Sequence, residues 1–491
     1  MVGGIIGANR DTYGCVISDC VNMGEIIGTA PRETVIQGGQ EVSNYVETMT
    51  GGIAGRFTGE IQNCVNEGDV SSSICNGVGG IVGKAFIKAN LTGCTNKGLV
   101  NTAYSYAGGI VGVSTVTAGD EISTIISDCS NEEIVSGMSS IGGIVGVAAN
   151  GCLVKNCRNI ASVKPKMGRA AGIAGEISQK VSISDCYNAG EIEASMLAAG
   201  IVGDVPSKAV VTIERCFNTA DIKAGANGGA AGILNTTSGT SIVNTCYNTG
   251  NITAARYAGG IAGKTGNTSI SRSYSAGTVK STSSNPSYNV NVGNIVGETD
   301  SQAKVDGCCY LTGKSNNPAD APFDGAHALD ARSMFDSKSI LGDGFVYNDL
   351  CLPMIAGQDT IDVAKVNSVY YEVVSSADSG LLSYTLGVLP GVIWSATHPF
   401  SIEDNSKAVA TADGSGTITA TCGNFSKTYA VSSSYSGADI AETDADEVVS
   451  TEYYSLSGQR ISNPDNYPVC LKVMIFRDGS RKTLKINRQR H

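Results

Sequence analysis

A ten-residue sentence recurs along this chain and limits what it can fold into. "ISDCYNAGEI" (183–192) returns as "IERCFNTADI" (213–222), "IQNCVNEGDV" (61–70) and "ISDCVNMGEI" (17–26). Ahead of each stands a glycine tetrad, G-[ILV]-[IAV]-G. It starts at Gly4, Gly52, Gly80, Gly109, Gly143, Gly172, Gly200 and Gly260, with degenerate copies at Gly232 ("GILN") and Asn294 ("NIVG"). From Gly52 to Gly80, from Gly172 to Gly200 and from Gly232 to Gly260 the step is 28 residues; insertions lengthen the others. A unit of that size cannot bury a core alone, but units stacked on one another can.

Parity gives the local structure. Cys186, Asn188, Gly190 and Ile192 are spaced by two and share one face of a strand; Tyr187, Ala189 and Glu191 take the other. Ile183 precedes Cys186 by three, and the "SD" between them is turn-forming, so a corner falls there. The expected fold is all-β: a right-handed parallel β-solenoid (β-helix) of about ten coils, each adding about 4.8 Å. Inward Cys64, Cys94, Cys129, Cys157, Cys186, Cys216 and Cys246 would form a buried ladder. Inward Asn66, Asn96, Asn131, Asn159, Asn188, Asn218 and Asn248 would hydrogen-bond along their own stack. The tenth copy is ragged: Cys309 is read at the ladder position, with Leu311 in place of Asn.

Sixteen Cys also raise disulfides and metal. Thiols stacked in register fit S–S dihedrals poorly, and zinc needs four converging ligands, whereas these Cys recur along a line without partner His. Packing is the expected role, with no metal and no cofactor.

The tetrad resembles the GLUG repeat of bacterial surface proteins, including filamentous-haemagglutinin-like adhesins and non-catalytic regions of immunoglobulin A peptidases. The resemblance covers residues 1–313 and implies an extracellular stacked-strand stalk, with no catalytic residues to carry over. Residues 314–358 ("ALDARSMFDSKSIL" and following) resemble the segment that often follows the last coil in such proteins. They are expected to hold a short helix or two and to cap the open end. Residues 359–436 read as short strands, and "VIWSAT…AVATADGSGTITAT" resembles bacterial Ig-like domains, with Trp394 as the core Trp of a β-sandwich. Residues 437–450 read as an acidic linker. Residues 451–491 form a small β-rich segment that resembles the C-terminal segments of Bacteroidetes surface and secreted proteins. Some such segments are secretion sorting signals; this one has "NYPVCLKV" where G-[IV]-Y is usual. Arg477, Arg481, Lys482, Lys485, Arg488 and Arg490 there read as a solvated face.

The net charge of −11 argues against nucleic acid as a partner. No apolar run is long enough for a transmembrane helix. The start, "MVGGIIGANR", opens inside a repeat, so a missing upstream segment is expected and a signal peptide would lie there. No catalytic constellation stands out. His327, His398 and His491 lie in no H-E-x-x-H, and neither G-x-S-x-G nor a phosphate-binding loop is found. Corner acids Asp19, Asp128 and Asp185 are expected to cap turns.

Two features could bind a partner. One is a row of rings, Tyr187, Phe217, Tyr247, Tyr274 and Tyr310, which parity points outward. Exposed, it would hold sugar or protein; the rival reading is cross-strand stacking beneath a cover. The other is the longest insertion, 28–50. The functional expectation is a monomeric, non-enzymatic, adhesin-like or structural protein of the cell surface or extracellular space, with host or dietary glycans or surface proteins as partners. A polysaccharide-active β-helix lyase or hydrolase, or the non-catalytic part of a larger surface protein, stays open.

Overall fold

A computed structural model describes the chain apart from residues 10–13, 30–31, 38–39, 46–47, 74–76, 116–123, 150, 286–290, 300–301, 316–322, 359–360, 376–381, 434–447, 455–459, 462–468, 477–480 and 488–491. It separates into two compact units: one of residues 1–308 and 315–326, the other of residues 309–314 and 327–491.

The first unit is a parallel β-solenoid. Each coil visits the same faces in turn. A glycine face holds ten strands, among them Arg169–Ala171, Leu197–Ala199 and Gly229–Ala231. A wall of two strands per coil follows, such as Ala174–Ile177 and Lys180–Ser184; in Ala54–Gln62 and Val82–Thr92 the two run through without a break. Next comes the two-residue Asn strand, such as Tyr187–Asn188. A nine-stranded valine face closes the coil, with strands such as Ile192–Ala194.

Register is set residue on residue. Asn66 pairs with Asn96, Asn131 with Asn159, Asn159 with Asn188 and Asn188 with Asn218. A slip by one would turn the Asn and Val rows outward, so burial holds the stacking in place. The valine and glycine faces meet in one core: Val163, Ile192, Ile222 and Ile252 pack with Ala170, Ala198, Ala230 and Ala258.

The corner foreseen before each Cys is present and has a definite conformation. Its last residue is left-handed: φ is 56° at Asp128, 52° at Asn156, 53° at Asp185 and 67° at Gly93. Gly, Asn and Asp tolerate that region best. Arg215, Thr245 and Arg272 occupy it in later coils at φ 55°, 53° and 46°, where a side chain branched at Cβ, as in Thr245, is strained.

The register of the tenth copy differs from the sequence reading. Val305 pairs with Ile270 and Asp306 with Ser271, so Cys308, not Cys309, follows the corner. Its thiol donates to the Ile270 and Asp306 carbonyls, as Cys246 does to Ile213 and Asn244. Counting from Val305, the I-x-x-C spacing gives this answer. Tyr310 therefore stands in line with the Asn position, and Cys309 takes the ring position.

The insertion at 28–50 forms an antiparallel hairpin of Arg32–Gln37 and Gln40–Tyr45.

In the second unit, short helices span Ala331–Phe335 and Lys338–Leu341. An antiparallel ribbon, Phe345–Asn348 with Cys351–Ile355, follows. A further helix, Asp362–Ser368, stands where the sequence reading placed only strands. It buries Val363, Ala364 and Val366, and the Ser368 hydroxyl donates to the Ala364 carbonyl. A four-stranded sheet (Tyr371–Ser375, Leu382–Leu386, Lys407–Ala410, Phe400–Glu403) then packs on a three-stranded one (Ile393–Ala396, Gly414–Cys422, Phe425–Ser433). Trp394 is buried between them; its indole N–H donates to the Gly387 carbonyl at 2.8 Å. Tyr371 and Tyr384 meet edge to face at 5.5 Å, and Tyr371 meets Tyr429 of the other sheet at 5.2 Å. Val448–Tyr454, Val469–Phe476 and Arg481–Asn487 form a last antiparallel sheet. Most of the 437–450 linker, together with Arg477, Arg488, Arg490 and His491, lies outside the described residues. No helix among the described residues is long and apolar enough to cross a membrane.

Candidate binding surfaces

The Asn row is a continuous hydrogen-bonded ladder. From Asn66 to Asn218 each amide donates one proton to the Asn Oδ1 of the next coil, as Asn66 to Asn96 at 2.8 Å, Asn131 to Asn159 at 2.8 Å and Asn188 to Asn218 at 2.8 Å; Asn248 ends the row on the Ser275 hydroxyl at 3.5 Å. The second proton goes to the carbonyl two residues on, as from Asn188 to Gly190 at 2.8 Å. Both donors and the oxygen are satisfied without water, which a buried amide requires. The ladder also explains why tetrad and sentence travel together. The first glycine of the tetrad lies against the Asn of its own coil. A Cβ on Gly172 would stand 2.3 Å from Asn188 Oδ1.

The Cys row runs beside it. The ladder cysteines are free thiols, and Cys64, Cys94, Cys129, Cys157, Cys186, Cys216 and Cys246 are buried. Each ladder thiol donates to the carbonyl two residues back, as Cys186 does to Ser184 at 3.1 Å. The backbone N–H groups of Cys157, Cys186 and Cys216 donate to the sulfur of the next coil. Burial pushes Cys129, Cys186 and Cys246 well above the ordinary thiol range and Cys152 to about 12. At Cys157 and Cys216 burial is opposed by hydrogen bonds from the neighbouring thiols, which pull them down. These are packed groups held within the stack rather than exposed nucleophiles.

The ring row forms, but not as an exposed surface. Tyr187, Phe217, Tyr247 and Tyr274 stack face to face, with centroids 5.0, 4.7 and 5.0 Å apart. All four are buried, at 8, 0, 2 and 0% exposure, so the exposed row considered for binding is corrected and the rings follow the rival reading of cross-strand stacking. Alternation gives the side of the strand and not what covers it. Tyr310 is half-buried and belongs to another position, as described above.

The corner acids bond to the corner residue of the next coil. Asp128 accepts from Asn156 at 2.5 Å, and Asp185 pairs with Arg215 at 2.7 Å. Asp19 accepts from Asn63 at 3.4 Å. His327 and His398 are exposed.

A polar seam was not foreseen. In two coils the residue directly after the tetrad meets the residue seven before it across the glycine bend, Glu176 with Arg169 and Glu298 with Asn291; elsewhere the seam contacts run from coil to coil. Arg169 bridges Glu176 at 2.7 Å and Asp204, one coil on, at 3.0 Å. Ser140 donates to the same Glu176 oxygen at 2.7 Å. The hydroxyls of Thr236 and Tyr257 meet at 2.6 Å, and Lys264 pairs with Glu298. The Tyr257 ring lies over Gly229, where a Cβ would come within 1.8 Å of it. Burial holds the Asp204 carboxyl above the usual carboxylate range; Arg169 pulls it down and Glu176 adds to the rise. Aligning the repeats would have flagged Glu176, Asp204, Thr236, Lys264 and Glu298 in one column, but not their partners.

In the second unit an open cleft of about 740 Å³ is lined by Arg332, Asp336, Tyr347, Asn348 and Asp349, with Ser333 and Phe335 completing its wall. Nothing in the sequence marks it, because it joins a helix end to a ribbon turn.

The chain matches no known protein family, no curated protein and no solved structure.

Proposed function

We propose that this chain is a non-enzymatic, adhesin-like or structural protein of the cell surface or extracellular space, its solenoid serving as a stalk or display surface. The observation that supports this most is how the solenoid uses its polar groups. The ladder amides, the corner acids and the seam carboxylates each bond to a neighbouring coil or to a facing residue. Such bonds resist pulling coil from coil, whereas a general acid or base needs an oxygen open to substrate. Host or dietary glycans, or surface proteins, are the partners in view.

A polysaccharide-active enzyme is the second reading, favoured by one place. Glu176 and Asp204 are strand neighbours on one flank, beside Arg169, with the Asp204 carboxyl shifted up. The test is to pass pectin, alginate, chondroitin and mucin glycans over the full chain and assay both retention and new chain ends. Retention without cleavage supports the adhesin-like reading. Release of products that Glu176→Gln abolishes overturns it.

A further inference from the structure

We propose that the cleft of the second unit binds a neutral sugar; this rests on the adhesin-like reading and names where recognition occurs. The helix Ala331–Phe335 carries Arg332 and ends at Asp336. The ribbon strand Phe345–Asn348 brings Tyr347 and Asn348, and Asp349 begins its turn. A volume of about 740 Å³ suits a small ligand of one or two sugar rings.

The side chains of Arg332, Asp336, Asn348 and Asp349 make no hydrogen bond or ion pair with any described residue. Opposite charges lining one concavity without neutralising each other leave their hydrogen-bonding capacity to a ligand. A guanidinium offers donors, two carboxylates offer acceptors, and an amide offers both. A sugar presents that mixture, because each hydroxyl donates and accepts. Pairs of adjacent hydroxyls can donate to one carboxylate while Arg332 donates to another hydroxyl or the ring oxygen.

The wall is held in place. The Tyr347 hydroxyl donates to the Gly342 carbonyl at 2.7 Å, which orients its ring. Phe335 is buried against Tyr370, with centroids 5.5 Å apart. A fixed, half-buried tyrosine ring offers a face to the C–H side of a sugar. One cation against two carboxylates leaves the cleft net negative, so sialylated, sulfated and uronate-rich glycans are disfavoured.

The experiment uses the full chain on an array of galactose-, mannose-, fucose- and N-acetylglucosamine-terminated glycans beside sialylated and sulfated ones. Asp349→Asn, Asp336→Asn and Arg332→Ala are tested singly and together, with Glu403→Gln of the sandwich as the control. The expected result is neutral-glycan binding that falls at least ~10-fold in each cleft variant and is kept by Glu403→Gln. Unchanged melting of the single variants, all at exposed positions, separates loss of the site from loss of the fold. Binding that survives in the triple variant sinks the cleft and leaves the adhesin-like reading standing. A preference for acidic glycans, or no neutral glycan bound, overturns the cleft as a sugar site. Failure of the broader reading shows separately, as polysaccharide cleavage.

Discussion

Asn188 and Asn348 are the same residue in opposite situations. Asn188 is fully buried and makes three hydrogen bonds: to Gly190, to Asn218 and from Asn159. Asn348 lies half-buried on the wall of an open cleft, and its side chain bonds to no described residue. The difference extends to their neighbours. In the solenoid the ladder amides and the corner side chains Asp128 and Asp185 meet their own copy or a complement in the next coil. Around Asn348 the polar residues occur once and face solvent. Regular repetition thus produces polar groups that stabilise, and a departure from it produces polar groups that remain available.

The contrast can be broken by substitution. Asn188→Ala should have the largest effect. It strands the Asn159 amide and the Asn218 oxygen and is expected to destabilise the solenoid by about 4 kcal/mol, read by urea unfolding of the full chain. A loss under about 1 kcal/mol would mean that the ladder contributes little.

Arg169→Met should come next, at about 2 kcal/mol after allowing for solvent at the part-exposed guanidinium, because Glu176 and Asp204 would face each other without a cation. Asp204 also leaves a pH signature. Its carboxyl is raised in the fold, mainly by burial, so the folded state favours the proton. The stability it contributes is complete below the ordinary value of ~3.9 and is lost as pH rises through the raised one. Asp204→Asn should flatten that fall in a series of melts across acid pH. An unaltered slope would place the titration elsewhere.

Thr245→Asn is expected to stabilise, by about 1 kcal/mol, since Asn63 and Asn156 already hold the same left-handed corner. A lower melting temperature would show that the buried Thr245 contributes packing that outweighs its strain. Smallest of all, Asp349→Asn should leave stability within about 0.5 kcal/mol while removing sugar binding. A stability loss as large as that of Asn188→Ala would make Asp349 a structural residue and erase the contrast.

What could be read in advance follows from what repeats. Cys186 and Asn188 share a strand face, and thirty residues later Cys216 and Asn218 do so again, so inward stacking and in-register pairing followed from spacing alone. The turn residue before each Cys was legible as a local rule about one position, whereas the burial of Trp394 was expected from the resemblance to Ig-like domains.

Tertiary structure decided whatever depends on a second segment. Parity placed Phe217 on the outer side of its strand, but only the folded chain buries it. Arg169 meets Glu176 across a glycine bend and Asp204 across a coil, a geometry that no single-strand pattern encodes. The choice of Cys308 over Cys309, by contrast, was already contained in the I-x-x-C spacing from Val305, and the pairing of Val305 with Ile270 agrees with it. The cleft needed a helix end, a strand and a turn brought together. Strand alternation and stacking period are properties of the local backbone, so the order of residues is enough to specify them. Burial, charge pairing and concavity depend on distances between segments far apart in the chain, which packing sets.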